Sequence, residues 1–275
     1  MSVSFDKLQG LARAHLAQQQ DDCPQEQIAA TAETTLVRTE ILRLTTKIGG
    51  LSASFLKDAP LDAPRPVLNE LAETNGTTEQ DHTSKSWTPS TETQQCMANV
   101  LWSLCVTSSA CSLDLRSSVL KKMMLNERKY PVELCKGKAG KYTQYSESTG
   151  ITKTEGQSTL LFSQQDFAQN TVQDVTNVIR RFATDRLWSR YHTPRNLLLA
   201  LLGELGELAE LYQWKGDDAD GSSSANSALT EDELDKVSQE LADVTIYLLR
   251  LADVCGVDIG TLALGIAQNL VKQTK

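Results

Sequence analysis

The segment Leu197-Leu198-Leu199-Ala200-Leu201-Leu202-Gly203-Glu204-Leu205-Gly206-Glu207-Leu208-Ala209-Glu210-Leu211 decides how the chain is read, together with Gln239-Glu240-Leu241-Ala242-Asp243-Val244 downstream. Each sets two carboxylates three residues apart in an otherwise apolar run. On an α-helix that spacing brings both side chains to one face. A helix so rich in leucine packs by burying its leucines, which carries Glu204, Glu207, Glu240 and Asp243 toward an interior where unpaired charge is costly. A hard divalent cation keeps such carboxylates ionised, takes oxygen ligands and can share substrate phosphates. One Glu-x-x-Glu pair alone is common on a solvated helix face. Two pairs in apolar flanks, separated by one loop, point to a magnesium site.

Outward from these segments, helix signals continue in both directions. Thr193-Pro194 offers an N-cap followed by proline at the first helical position, so the first acidic helix begins there and runs to about Trp214. Thr230 and Glu233 form a capping box for the second, which Gly256 closes. Upstream, Thr171 with Asp174 caps a helix whose stripe is Val172, Val175, Val178, Ile179 and Phe182. A last helix spans about Ile259 to Lys272. In the N-terminal half, apolar periodicity predicts helices over 5–19, Leu36–Leu56, 91–110 and about Leu115–Lys129, the last ending before Tyr130-Pro131. Asp58 to about Pro89 reads as a long loop with a helical turn at Val67–Leu71, and Gly216–Thr230 as a flexible acidic loop. No convincing strand is present, so the fold class is all-α.

The two halves also repeat one another. Arg38–Lys57 aligns without gaps to Arg195–Trp214, and Cys96–Leu120 to Glu240–Leu264. Core positions agree: Leu42, Leu44, Ile48 and Leu51 fall opposite Leu199, Leu201, Leu205 and Leu208. This predicts two tandem four-helix units, 1–145 and 170–275, joined by a polar linker at 146–169 and packed as a pseudo-dimer. The four acidic positions are not shared, because Lys47, Gly50, Cys96 and Asn99 stand there in the first unit. Conversely, only the first unit continues into a basic, tyrosine-containing tail, Lys121 to Tyr130 and Lys136 to Tyr142.

Composition narrows the function. The chain has 275 residues, 40% hydrophobic and 23% charged, with a formal charge of −8. That balance argues against a nucleic-acid partner, whose binding rests on clustered Lys and Arg. The six cysteines form no C-x-x-C pair and lie mostly in apolar surroundings, which predicts buried reduced thiols. The N-terminal residues lack a basic region followed by an apolar core, and no apolar run reaches membrane-spanning length, so a cytoplasmic protein without membrane contact is expected.

The run His192-Thr193-Pro194-Arg195-Asn196-Leu197 through Trp214-Lys215, with Glu240-Leu241-Ala242-Asp243 and Tyr247, closely resembles the dCTP pyrophosphatase branch of the all-α MazG-like nucleoside triphosphate pyrophosphohydrolases. The resemblance covers about residues 172 to 265 and includes the E-x-x-E and E-x-x-D signature. It implies that Glu204, Glu207, Glu240 and Asp243 are catalytic Mg²⁺ ligands. It further implies that Trp188, Ser189, Arg190, Tyr191, His192, Trp214 and Tyr247 form the base and sugar pocket. Lys122, Asn126, Tyr130, Lys141 and Tyr142 match the family's triphosphate-binding tail. Ile179 departs from the pattern, standing near where the family often has a substrate-contacting histidine.

The expected reaction is hydrolysis of dCTP, or a related or modified nucleotide, to the monophosphate and pyrophosphate, as housekeeping of the nucleotide pool. A non-catalytic nucleotide-binding or scaffold protein is the alternative. The partner is a small nucleoside triphosphate, and a homodimer forming a pseudo-tetramer is expected, since leucine-rich four-helix units bury more surface than one chain offers.

Overall fold

The computed structural model describes residues 2–21, 30–58, 88–138, 171–215 and 229–273. Within them the N-terminal half holds α1 (Phe5–Asp21), α2 (Ala30–Asp58), α3 (Thr91–Ala110), α4 (Leu115–Lys129) and a single turn, α5 (Val132–Cys135). The C-terminal half holds α6 (Val172–Asp185), a 3-10 turn (Trp188–Arg190), α7 (Pro194–Glu210), α8 (Glu231–Val254) and α9 (Ile259–Gln273). One antiparallel bridge pairs Ser4 with Thr171, immediately ahead of α1 and α6. The described residues are otherwise all helix and connection.

The helix starts follow from local chemistry. At α6, Thr171 accepts from the Asp174 amide while Asp174 accepts from the Thr171 amide; Thr230 and Glu233 do the same for α8. Thr193 caps α7 ahead of Pro194, and Asp114 caps α4. Helix α2 begins at Ala30 rather than near Leu36. Its first turns lack large apolar residues, and one of the side chains that packs inward there is the polar Thr34. Pro131 ends α4 and then starts the α5 turn, which buries Cys135.

The connections from α3 to α4 and from α8 to α9 are built alike. Ser112 (φ +56°) and Gly256 (φ +65°) both take the left-handed conformation. Leu113 N donates to Ser108 O, and Val257 N to Ala252 O, each at 2.9 Å. Glycine enters this region without a steric penalty; serine does not.

Packing joins the halves. Helix α2 lies on α3 and α7 on α8; α9 packs on α3 and α4 on α8; α1 packs on α3 and α6 on α8. Helix α3 also meets α8, and α2 meets α7. The buried apolar side chains form one continuous cluster that includes Phe5, Leu44 and Leu101 from one half and Leu205, Leu241 and Leu248 from the other. Each such fully buried side chain contributes about 1.5–3 kcal/mol. Of the cysteines in the described residues, Cys105, Cys111, Cys135 and Cys255 are buried free thiols and Cys96 is partly exposed. Among the described residues no single helix is long and apolar enough to cross a membrane. The linker at 146–169, the loop between Asp58 and Pro89 up to residue 87, and most of the 216–230 loop lie outside the described residues.

Candidate functional site

The phase of α7 sets the site. Leu197, Leu201, Leu205 and Leu208 are buried, so Glu204 and Glu207 come to the margin of the packed face, toward α8. Helix α8 buries Leu241, Ala242, Val244 and Leu248, and Glu240 meets the α7 acids from the other side. Glu204, Glu207 and Glu240 each offer a carboxylate oxygen within 4.8 Å of the others. Burial, reinforced by Asp243, Glu207 and Glu240, pushes the Glu204 carboxyl up to about 7. Burial likewise raises Glu240 and Asp243. Glu240 Oε2 is buried and, among the described residues, has no hydrogen-bond partner. Crowded carboxylates with an orphaned oxygen fit the donor set of a hard divalent cation.

Asp243, the fourth acid, is engaged elsewhere. Lys122 of α4 places its Nζ 2.6 Å from Asp243 Oδ2, and both side chains are only 14% exposed. Asn126 also hydrogen-bonds Asp243, and together with Lys122 and Lys129 it offsets part of the cost of burying that carboxylate. Residues of the N-terminal half therefore reach the acids of the C-terminal half.

Beside the acids opens a cavity of about 490 Å³, with Asp243 in its wall. Leu187 adopts φ +55° after α6, and the 3-10 turn that follows brings Trp188 to the cavity. Trp188 makes edge contacts with Tyr130 (5.4 Å) and Phe182 (5.7 Å) and donates its Nε1 proton to Cys135 O at 3.3 Å. Tyr191 Oη and Arg190 Nη2 both donate to Gly137 O, at 2.8 and 2.7 Å. Gly137 has φ +74°, which favours glycine, and a Cβ there would meet Arg190 Nη2 at 2.7 Å, so a larger residue would strain the backbone and displace the Arg190 guanidinium. Behind this wall Arg186 is fully buried, 3.6 Å over the Phe182 ring, and donates to Tyr130 O and Phe182 O. Tyr247 lines the cavity with its phenol raised by burial and by nearby Glu204 and Asp243.

Of the residues singled out in the sequence, Trp188, Tyr191, His192, Tyr247, Asn126 and Asp243 line the cavity. Glu204, Glu207 and Glu240 converge next to it, and Lys122 pairs with Asp243. Ser189 accepts from Arg250 Nη2 at 3.3 Å, and Arg190 is engaged by Gly137 rather than facing the cavity. Trp214 does not join the pocket: it is 81% exposed, because the turn after α7 buries Tyr212 and so directs the side chain two residues on outward. Lys141 and Tyr142 lie outside the described residues. Sequence reasoning missed Arg250, Lys138, Asn196 and Phe182, all in the cavity wall. Arg250 was findable, since it lies three residues beyond Tyr247 and seven beyond Asp243, on the same face of α8.

Fold and site together define, in the described residues, an all-helical molecule with an acidic cluster beside an aromatic-walled cavity. Part of the chain is similar to proteins named dCTP pyrophosphatase 1. The one from Bos taurus is 43% identical over 92 residues, 34% of this chain and 52% of that protein. The one from Mus musculus is 47% identical over 89 residues, 32% of this chain and 50% of its own length. For Homo sapiens the identity is 42% over 89 residues, again 32% and 50%. The chain spans about half the length of the curated relatives it matches. No protein-family model and no solved structure matches it.

Proposed function

We propose that the chain is a nucleoside triphosphate diphosphatase that converts dCTP, or a closely related deoxynucleotide, to the monophosphate and pyrophosphate. The observation that carries this reading is the Glu204, Glu207 and Glu240 cluster, with its orphaned Glu240 oxygen, next to a cavity of nucleoside size. The names of the partial relatives support the same substrate class.

In this reading Glu204, Glu207, Glu240 and Asp243 hold Mg²⁺. The bound cation neutralises phosphoryl oxygens and lowers the cost of charge build-up on the leaving pyrophosphate. Trp188, Tyr191 and Tyr247 give the base and sugar flat apolar surfaces, while Asn126 orients a polar edge near Asp243. Lys122 and Lys138 bring positive charge toward the phosphates. A glutamate of the first pair accepts the proton of the attacking water.

The N-terminal half acts in this proposal as a built-in partner. Exchanging α1–α4 with α6–α9 carries the main helix contacts into one another, and the matched turns at Ser112 and Gly256 fit a duplicated unit. The half that lacks the acids supplies Lys122, Asn126, Tyr130 and Lys138 to the half that has them. A cytoplasmic role in nucleotide-pool housekeeping, and assembly of two chains into a pseudo-tetramer, complete the proposal.

The Lys122–Asp243 pair favours one rival, a nucleotide sensor in which lysine stands in for the metal. Pyrophosphate release over a panel of dCTP, dUTP, 5-methyl-dCTP and the other common nucleotides, with Mg²⁺ and with Glu240→Ala as control, separates the two. Release from dCTP that Glu240→Ala abolishes supports the hydrolase. Binding without release from any nucleotide supports the sensor.

A further inference from the structure

His192 carries a constraint that the proposed chemistry leaves unused. Its Nδ1 lies 3.1 Å from Nε of Arg250, which belongs to α8. A guanidinium offers only donors, so Nδ1 must be the acceptor and the single proton of the neutral ring sits on Nε2.

Arg250 is not free to turn away. Its Nη1 pairs with Asp253 Oδ2, its Nη2 donates to Ser189 Oγ at 3.3 Å, and its side chain is 7% exposed. Asp253 is held in turn by Arg180 of α6, whose Nε donates to Asp253 Oδ1 at 2.8 Å. Trp188 approaches the imidazole edge-on at 6.4 Å.

Protonating Nδ1 would set an N–H against an N–H. Among the described residues Arg250 is the charged group that bears on the ring; Asp253 and Arg180 hold Arg250 rather than the imidazole, and Lys138 and Asp243 share the wall of the same cavity. Among the described residues no carboxylate hydrogen-bonds the ring. Burial, and then Arg250, hold the imidazole down at about 3. Both His192 and Arg250 line the cavity.

We propose that Arg250 is a positioning residue that locks His192 as an Nε2–H donor on the cavity wall, so that the bound nucleoside presents an acceptor, a carbonyl oxygen or ring nitrogen, at that point. The lock follows from this chain's geometry alone; its bearing on the nucleoside rests on the proposed function. The cytosine edge that carries O2 and N3 is such an acceptor. A base that turns only an amino group toward this wall would leave two donors opposed and bind about 5- to 150-fold more weakly.

Two-bond ¹H–¹⁵N NMR of the full-length chain, with His192 assigned through His192→Gln, reads the tautomer directly. The expected wild-type spectrum has a pyridine-type Nδ1 and a pyrrole-type Nε2 that do not shift between about pH 8 and about pH 5. A pyrrole-type Nδ1, or titration within that range, overturns the proposal, whether or not any nucleotide is hydrolysed. Arg250→Met is expected to release the ring, which then titrates within that range, and to weaken dCMP binding about tenfold while kcat changes much less than KM. Unchanged dCMP affinity in a folded Arg250→Met protein overturns the role in recognition. The wild-type spectrum decides the tautomer even if that variant does not fold.

Discussion

Lys122 on α4 and Asp243 on α8 form an ion pair of 2.6 Å across the two halves of the chain, with both side chains 14% exposed. The lysine is thus a resident countercharge for an acidic cluster. Lys122→Met removes it and leaves Asp243, Glu204 and Glu240 with more mutual repulsion. The expected loss is about 2 kcal/mol in EDTA, between the values typical of surface and buried pairs, or a fall in Tm of about 5 °C. The stabilisation on adding Mg²⁺ should exceed that of the wild type, since a cation then relieves a larger repulsion. Differential scanning fluorimetry with EDTA and with Mg²⁺ measures both.

Glu240→Gln has the opposite signature. Removing one of the crowded charges relieves the metal-free protein, so its Tm in EDTA rises or holds. The Mg²⁺-induced rise in Tm disappears, and pyrophosphate release from dCTP falls by about 100-fold or more. A variant that keeps the full Mg²⁺ response would remove Glu240 from the ligand set.

The His192 imidazole is held at about 3, against an ordinary value of 6.5. Between these values the unfolded chain binds the proton and the folded one does not. Stability from this group is therefore complete above about pH 6.5 and is lost as pH falls toward 3, with a slope approaching 1.4 kcal/mol per pH unit. Relative to the wild type, His192→Gln should remove this positive slope from urea-unfolding stability measured from about pH 6.5 to about pH 4.5, leaving the opposite contribution of the raised Glu204, Glu240 and Asp243 carboxyls.

The matched turns give a test of backbone strain. Ser112 holds φ +56° where its counterpart is a glycine. Ser112→Gly should add up to about 1 kcal/mol, raising Tm by about 2–3 °C. Gly256→Ala should lose about as much, although a Cβ there meets nothing within 4 Å, because the cost is conformational rather than steric.

Much of this architecture was legible in the residues. Thr171 with Asp174, Thr193 with Pro194, and Thr230 with Glu233 each announce a helix start through a local hydrogen bond, and each was found in place. The convergence of Glu204, Glu207 and Glu240 followed from helical spacing plus leucine burial. What escaped was non-local. Arg250 shares a helix face with Tyr247 and Asp243, but its partners His192 and Ser189 lie on another segment; Arg186 stands four residues beyond Phe182, but the Tyr130 carbonyl that completes its setting is 56 residues away. Trp214 misled because an aromatic next to a signature helix looks like pocket lining, whereas the register of the turn after Tyr212 turns it to water. The start of α2 escaped because threonines and alanines, not large apolar residues, form its first turns.

The cavity draws its walls from positions as far apart as Met123 and Arg250. It comes into being only when both halves of the chain have docked, so a nucleotide titration doubles as an assay of global cooperativity. A molecule whose helices all persist but whose halves have parted would look native by circular dichroism and be blind to ligand.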